Sequence, residues 1–588
     1  MTKARDIADS TKTLDVDGGT IKLDGNYPVG TGSVALGDTA LDSVQSAGTY
    51  NTAIGHNALT ANTTATNNTS VGAFSLGSNT TGEANTAVGL AALDANTTGS
   101  NNVGLGRDAL GANTTASNNT SVGYQAGLAN TTGYNNLFAG VSAGDSNTTG
   151  ALNALSGSFS GATNTTGSYN TAYGAESLYS NTTASNNTAL GYQAGYSNTT
   201  GADMVALGKG ALKLSTVGNG NTAVGNNALT SSTTPSNNTA LGDNAGAANT
   251  TGSNNTIIGK QALQANTTAS YNTAVGYQAS LNATTGAVNT FVGGLSAGLG
   301  VVTGSHNVGL GAETLYRLTS GGSNVSIGYQ ALQFNTTGSS NIAIGREALE
   351  SNTTASDNTA VGYQAGFSTT TGGENSYFGR FSGKGLTTGA GNVFLGARAG
   401  NYETPTTTGN FNTVIGSYSK VGNGGDSNAV AIGHNIVGTQ GFTTLGDAAN
   451  DIRAAHGNVT WQTVSDQRYK KDIVDSTAGL SFVNALQPRT FKYKTLGELP
   501  ETFNAYEADS TEVFKNSVTN HGFIAQEVKA AIDAHPELKD GFAMWGERPD
   551  GGQEIGEAAL TPMLVKAIQE LSATNDALTA RITALEGA

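Results

Sequence analysis

The chain has little of three things: cysteine, charge and proline. Its 588 residues include no cysteine, which excludes disulfides and thiolate metal sites. Charged residues make up 12 % of the chain, about half the usual share, and only 8 residues are proline. A chain with so few charges cannot build an ordinary charged-surface globule along its whole length. Glycine is instead abundant, with 82 residues.

Further features that the sequence lacks narrow the possible partners and the cellular location of the protein. The net charge of −15 and the lack of a basic stripe argue against nucleic acid. No run of about 18 apolar residues occurs, so no membrane insertion is expected. The N-terminal residues 1–6 are followed by no apolar run and are not typical of a secretory signal. We expect a protein that leaves its cell by lysis or on a particle, and we expect no cofactor and no metal.

A 17-residue repeat occupies most of the chain. Its marker is the segment Asn-Thr-Ala-Ile-Gly at Asn51–Gly55, with close copies further along. The marker glycines are 17 residues apart over residues 55–293, and the spacing is 18 at Gly311 and 20 at Gly416. About 25 units result, ending near residue 446. A fixed period of this kind indicates a solenoid or an array.

Each unit is too short for two helices and alternates as a β-strand does. The residue before the marker glycine is large and apolar, as in Val88; two positions earlier Thr or Val lies on the same face, with a small residue between them. A second apolar pair, Ala92-Leu93, and a polar turn, Asn96–Gly99, complete the unit. We predict two short strands and two turns per coil of a parallel β-roll or β-helix. Coils stacked at about 4.8 Å would extend for on the order of 120 Å, with Asn and Thr ladders along the turns.

Composition divides the chain into four segments. Residues 1–29 are interpreted as an N-terminal attachment or capping segment, residues 30–447 as the solenoid shaft, and residues 448–464 as a connector. Residues 465–588 are interpreted as a small α+β domain, because twelve of the 27 Lys and Arg residues lie after residue 466. The predicted fold class is therefore mostly β, with a mixed C-terminal domain.

The end of the chain, residues 563–586, carries a heptad pattern that predicts a coiled-coil helix. Its members step alternately by four and three residues, which places them on one face. Isolated peptides with Ile and Leu in the core and a single Asn favour dimers. The predicted core consists of Leu564, Ile568, Leu571, Asn575, Leu578, Ile582 and Leu585.

The repeat units resemble the head repeats of trimeric autotransporter adhesins. The segment Asn-Thr-Ala-Val-Gly at Asn85–Gly89 stands where that family has Ser-Val-Ala-Ile-Gly. In that family three β-rolls pack into one trimer. The resemblance covers most of residues 30–446 and implies a trimeric rod.

From Ser465 onward the chain resembles the self-cleaving intramolecular chaperone domain that ends many phage tailspikes and tail fibres. This resemblance implies a homotrimer in place of the dimer that the heptad alone favours. It also implies a virion protein that is assembled in the host cytoplasm and attached to the phage baseplate or tail through its N-terminus. Four motifs carry the resemblance: Ser465-Asp466-x-Arg468-x-Lys470-x-x-Ile473, Leu486–Tyr493, Gly522–Val528 and Leu560–Ile568.

The same resemblance implies that Ser465 and Lys470 form a catalytic dyad. A serine hydroxyl needs a base, and lysine serves only when neutral. With a pKa near 10.4, about one free lysine in a few thousand is neutral at pH 7, and burial raises that fraction. We therefore expect cleavage to wait until assembly buries Lys470. The bond that is cut flanks Ser465 and is either Ser465-Asp466 or Val464-Ser465; without the motifs, both dyad residues would be ordinary surface residues.

Three more motif residues, Arg468, Gln526 and Glu527, are expected to support the rod end or the trimer contacts. The sequence thus predicts a phage tail fibre or tailspike that adheres to a host glycan or protein receptor and acts once as a self-cleaving serine endopeptidase. The alternatives are a bacterial trimeric surface adhesin and a glycan-degrading tailspike. Glycan cleavage needs paired carboxylates, and because those of the rod are scattered, no enzymatic activity is predicted for the shaft.

Overall fold

One three-residue strand returns in every repeat and pairs with its neighbours along the chain. In the computed structural model, Thr86–Val88 pairs in parallel and in register with Thr69–Val71. The same pairing runs without interruption from Val34–Leu36 to Val430–His434 and joins 24 strands in one sheet. The predicted parallel β-solenoid of 17-residue coils is therefore confirmed.

The chain divides into two compact units, with the boundary between Val464 and Ser465. The predicted attachment segment, residues 1–29, lies outside the described residues. In the part of the chain that the structure describes, no helix is long and apolar enough to cross a membrane. The structure describes residues 32–297, 300–401, 406–448, 450–457, 462–463, 467–538, 542–549 and 551–587.

The strands that stack in parallel along the rod share the same length almost throughout. They are Val34–Leu36, Thr52–Ile54, Thr69–Val71, Thr86–Val88, Val103–Leu105, Thr120–Val122, Leu137–Ala139, Ala154–Ser156, Thr171–Tyr173, Thr188–Leu190, Val205–Leu207, Thr222–Val224, Thr239–Leu241, Thr256–Ile258, Thr273–Val275, Thr290–Val292, Val308–Leu310, Val325–Ile327, Ile342–Ile344, Thr359–Val361, Ser376–Phe378, Val393–Leu395, Thr413–Ile415 and Val430–His434.

Within each strand the middle side chain lies inside the coil and the outer two face away from it. Ala87 is fully buried, whereas the side chains on either side of it, Thr86 and Val88, are not. The interior of a coil is narrow, so the middle position holds a small residue in most units. The large apolar residue before the marker glycine therefore lies on the outside of the rod, as Val88 does with 39 % of its surface exposed.

In most units the second apolar pair does not form the second strand that we predicted. Ala91 and Leu93 both have positive φ, 54° and 53°, and left-handed residues at alternate positions are incompatible with an extended strand. Leu93 is nevertheless fully buried, and its N–H donates to a carbonyl of the next coil at 2.9 Å. In the described parts of the rod, only Lys420–Val421 and Val437–Gly438 pair as strands on this side.

The marker glycine is required by the close approach of one coil to the next. Gly89 has φ 139°, and a Cβ at this position would lie 2.4 Å from the carbonyl oxygen of Gly106 in the following coil. Any side chain would force the two coils apart, so only glycine fits. This contact explains why the same residue marks every repeat.

Columns of asparagine and threonine run along the rod, as predicted. The backbone N–H of Asn102 donates to Oδ1 of Asn85 in the preceding coil at 2.9 Å. In a second column, Nδ2 of Asn96 donates to Oδ1 of Asn79 at 2.8 Å. The hydroxyl of Thr97 donates to a backbone carbonyl of the next coil at 3.1 Å. These bonds satisfy buried polar groups that would otherwise destabilise the coil.

The longer repeats leave the ladder unbroken. Phe291 pairs with Gly309, which lies 18 residues further on, and Leu395 pairs with Ile415, which lies 20 residues further on. The additional residues therefore fall outside the strands.

The parallel stacking ends in a hairpin. Phe442–Asp447 pairs in parallel with Val430–His434 on one side and antiparallel with Asn450–Ala455 on the other. A short strand, Gln462–Thr463, follows antiparallel to Asn450–Ala455. Both of these strands lie within residues 448–464, which we interpreted as a connector.

The second unit is a small α+β domain with a helix at its end, as predicted. Its apolar core includes Phe482, Val528, Ile532, Met544 and Met563, all buried. Arg489–Phe491 pairs with Asn520–Gly522, and Trp545–Glu547 with Gln553–Ile555, both antiparallel. The α-helices are Leu480–Ala485, Ala525–Asp533 and Thr561–Glu586, and the 3-10 turns are Gln467–Tyr469, Leu496–Glu498, Pro536–Leu538 and Glu557–Leu560.

Candidate functional site

The sequence-predicted dyad lies at the start of the second unit. Residues 464–466, with the predicted nucleophile Ser465 and both candidate cut bonds, lie outside the described residues. Lys470 follows a 3-10 turn, and its backbone N–H donates to the Gln467 carbonyl at 3.0 Å. The side chains of Lys470 and Arg468 are exposed. A single copy of the chain therefore does not enclose the predicted base.

Two motif residues form a bidentate ion pair in the domain. Nε and Nη2 of Arg489 donate to Oε2 and Oε1 of Glu527 at 3.0 and 2.8 Å. The pair joins the strand Arg489–Phe491 to the helix Ala525–Asp533, and it lowers the pKa of Glu527 and raises that of Arg489. Sequence reasoning gave Glu527 a supporting role without its partner, which lies 38 residues away. Gln526 is exposed.

Only the first turns of the long helix Thr561–Glu586 pack against the domain. Met563 and Ala567 are buried against the domain, with 8 % and 5 % of their surface exposed. The heptad stripe is exposed in a single chain, with exposed fractions from 40 % at Leu564 to 76 % at Leu585, and every residue from Leu571 to the end of the helix is exposed. A contiguous apolar stripe of this kind marks an interaction surface. The exposed members of the stripe are Leu564, Ile568, Leu571, Asn575, Leu578, Ile582 and Leu585.

A carboxylate ties this helix to the rest of the domain. Oε2 of Glu570 accepts the backbone N–H of Leu480 at 2.7 Å, at the start of the helix Leu480–Ala485. A Cβ at Gly479 would lie 2.5 Å from the same carboxylate, so glycine gives the carboxylate room to approach. The sequence contains no signal for this contact, because its two sides are 90 residues apart.

Folding also brings together carboxylates that the sequence keeps apart. Asp94 and Asp108 belong to successive coils, and burial, together with the charge of Asp108, raises the pKa of Asp94. Nε of Arg107 donates to Oδ2 of Asp108 at 3.2 Å, so the second carboxylate has a cation beside it. The repeat period of 17 residues is the signal from which this proximity could have been found.

A comparison with known families finds a match in the first part of the second unit. Residues 465–536 match the chaperone of endosialidase family. Together with the solenoid of 24 parallel strands, the match fits a phage tail fibre that ends in a chaperone domain. The family is classed as a peptidase, which fits a self-cleaving domain. A search of curated proteins found no match.

The chaperone match includes three of the four motifs read from the sequence, and the fourth, Leu560–Ile568, lies beyond it. It begins at Ser465, the predicted nucleophile, and includes Lys470 and both partners of the Arg489–Glu527 ion pair. It ends at residue 536, so the heptad helix Thr561–Glu586 lies beyond the matched range.

Proposed function

We propose that this chain is the subunit of a trimeric phage tail fibre or tailspike. Its chaperone domain brings three copies together, aligns their rods, and then separates from them by a cut beside Ser465. The observation that carries this proposal is the exposed heptad stripe of the helix Thr561–Glu586, which follows a rod built from repeats of one kind.

The rod needs an aligning device because its register is weakly specified. Thr69 pairs with Thr86 and Val71 with Val88, so a slip by one coil again places like on like. Pairing between distant segments is also slow and prone to aggregation. A domain that associates first would set the alignment and start the winding of the rod from one end.

Two surfaces support association of several copies. The heptad stripe is open in a single chain, and so is the outer row of strand residues, with Val122, Leu190 and Leu241 at 42 %, 48 % and 48 % exposure. Covering such apolar rows contributes about 25 cal/mol per Å². Both resemblances described above favour three copies.

The cut follows serine peptidase chemistry in this proposal. When a neighbouring copy covers Lys470, desolvation favours the neutral amine. The amine takes the proton of the Ser465 hydroxyl, and the oxygen bonds to the carbonyl carbon of the scissile peptide. The carbon–nitrogen bond then breaks, the proton passes to the leaving amine, and water hydrolyses the ester. Loss of the aligning domain makes unfolding of the rod irreversible.

We also propose that the N-terminal segment attaches to the phage baseplate or tail and that the rod adheres to the host surface. Electron microscopy of virions labelled with an antibody to the rod tests this placement. Labelled fibres with the rod projecting from the tail are expected. Virions that carry no label, or label away from the tail, would refute this placement.

Processing is tested with matched variants of the full chain. Ser465→Ala and Lys470→Met should each leave one full-length band on a denaturing gel, whereas the wild-type chain gives two fragments. Lys471→Met is the control, because Lys471 is an exposed neighbour of Lys470. Continued cleavage in Ser465→Ala, or equal loss in both lysine variants, would refute the dyad.

A further inference from the structure

The cations of the rod are concentrated toward its C-terminal end. Of the ten Lys and Arg residues in residues 32–447, six lie within residues 313–420. The same segment holds most of the cation–aromatic contacts that the structure describes in the rod. This part of an otherwise charge-poor rod therefore has a distinct surface.

Aromatic rings and guanidinium groups form one row on this surface, with one group from each coil. The guanidinium carbon of Arg346 lies 5.7 Å from the ring centroid of Tyr329 in the preceding coil and 5.9 Å from that of Tyr363 in the following coil. The ring of Tyr363 lies beside that of Phe381, with 5.2 Å between centroids.

Phe381 is the centre of the arrangement. Arg380, Lys384 and Arg398 lie 4.6, 4.8 and 5.6 Å from its ring centroid. Arg398 also lies 5.7 Å from the ring of Tyr418 in the next coil. We name the continuous row the aromatic–cation ladder; it consists of Tyr329, Arg346, Tyr363, Phe381, Arg398 and Tyr418.

The ladder follows the rod over six successive coils. Each member comes one or two residues after a marker glycine, so neighbours are separated by one coil, about 4.8 Å. The row is therefore about 24 Å long. This spacing is comparable with the rise per sugar unit in an extended polysaccharide, and the row would contact several sugars at once.

The ladder is accessible in a single chain. Tyr329, Tyr363 and Tyr418 have 43 %, 37 % and 39 % of their surface exposed. Nε of Arg346 donates to Glu347 at 2.7 Å, so this cation is partly neutralised.

The three cations around Phe381 differ from Arg346 in their partners. Within the described ranges, no carboxylate lies within 4.0 Å of the cationic nitrogens of Arg380, Lys384 or Arg398. A cation held over an aromatic face keeps its outward N–H donors free to bind an anion.

We propose that the aromatic–cation ladder binds an acidic polysaccharide. Sugar rings would pack against the exposed parts of the aromatic rings, and their carboxylates would accept hydrogen bonds from Arg380 and Arg398. A neutral glycan would leave these cations without partners. This proposal rests on the proposed host adhesion, because it names the class of receptor and the part of the rod that holds it.

The test uses the assembled protein, expressed from the full chain, on an array of purified bacterial polysaccharides, both neutral and uronic-acid-containing, with single-stranded DNA as a further probe. At least one carboxylate-bearing polymer should bind. The double variant Arg380→Gln/Arg398→Gln should bind it at least tenfold more weakly. Arg107→Gln is the matched control, because Arg107 lies 5.8 Å from the ring of Tyr124 outside the ladder.

A second measurement does not depend on folding of the variant. The wild-type protein should lose binding to the same polymer after its carboxyl groups are chemically reduced. Unchanged binding to the reduced polymer, a preference for neutral polymers or DNA, or no acidic ligand on the array would overturn the proposal. If the assembled protein adheres to host cells in any of those cases, only the ladder assignment fails; if it adheres to no cell, the proposed adhesion fails as well.

Discussion

Replacing Ile257 by alanine and Gly246 by leucine in the same chain should leave the rod nearly as stable as before. Ile257 is the fully buried middle residue of its strand, and a Cβ at Gly246 in the preceding coil would lie 2.7 Å from its Cδ1. One coil further on, the same two positions hold the opposite sizes: the middle strand residue is the small Ala274, and the residue equivalent to Gly246 is Leu263. Leu263 has φ 47° and Gly246 has φ 59°, so the backbone there accepts a leucine.

The expected magnitudes follow from packing. Ile257→Ala leaves a cavity and should cost about 2–5 kcal/mol. Gly246→Leu alone overpacks the coil and should cost about 1–3 kcal/mol. If the changes were independent, the double variant would lose about 3–8 kcal/mol. Because the leucine fills the space that the isoleucine leaves, we expect the double variant to lose at most about 2 kcal/mol.

Amide hydrogen exchange, followed by mass spectrometry on peptides spanning residues 239–275, measures this local stability. The single variants should exchange faster there, and the double variant should return close to the wild-type rate. As a control, Ile257→Ala combined with Gly161→Leu should exchange in these peptides as fast as Ile257→Ala alone, because Gly161 lies in a distant coil. A double variant that loses the full sum would refute the account of how coils pack.

Three further outcomes are expected. Ile568→Asp should prevent association of the full chain, measured by sedimentation, whereas the exposed neighbour change Gln569→Asp should not. Glu527 has a lowered pKa in the folded domain, so its pairing with Arg489 stabilises above the unfolded carboxyl pKa and is lost as pH falls through the folded one. Arg489→Met should therefore lower the melting temperature at pH 7 and have little effect at pH 2; equal effects at both would contradict this. Gly89→Ala should separate two coils and yield insoluble protein, and a soluble rod with wild-type melting would count against the close-approach argument.

The regular part of the fold was predictable because one constraint recurs in every coil. Only glycine fits at a marker position such as Gly89, because the carbonyl of the next coil lies so close. The spacing of these glycines therefore gives the number of residues per coil. The preceding three residues alternate, which located the strands. The heptad pattern of the last helix could be recognised for the same reason, because apolar residues recur on one face of the helix.

Other features depend on contacts that a linear pattern does not show. Alternation alone does not say which strand face is inside, and the small Ala87, not the large Val88, proved to be buried. The pair after the marker glycine looked like a strand because Leu93 is buried, yet its left-handed backbone excludes one. The aromatic–cation ladder joins residues about 17 positions apart and becomes visible only when the coils are stacked.

The catalytic site was predicted from a resemblance and not from a repeating pattern. Ser465 and Lys470 came from the resemblance to a known domain, and the family match at residues 465–536 supports that resemblance. Lys470 is exposed in a single chain, and its role as a base depends on what assembly places over it. The dyad remains a prediction, to be tested by the variants described above.

The most direct test of the account is the mass and copy number of the full chain after expression by itself. Sedimentation combined with intact mass spectrometry should find a complex of three rods, each ending beside Ser465, and a separate C-terminal fragment. A soluble, folded single rod that still carries its C-terminal domain would contradict the account.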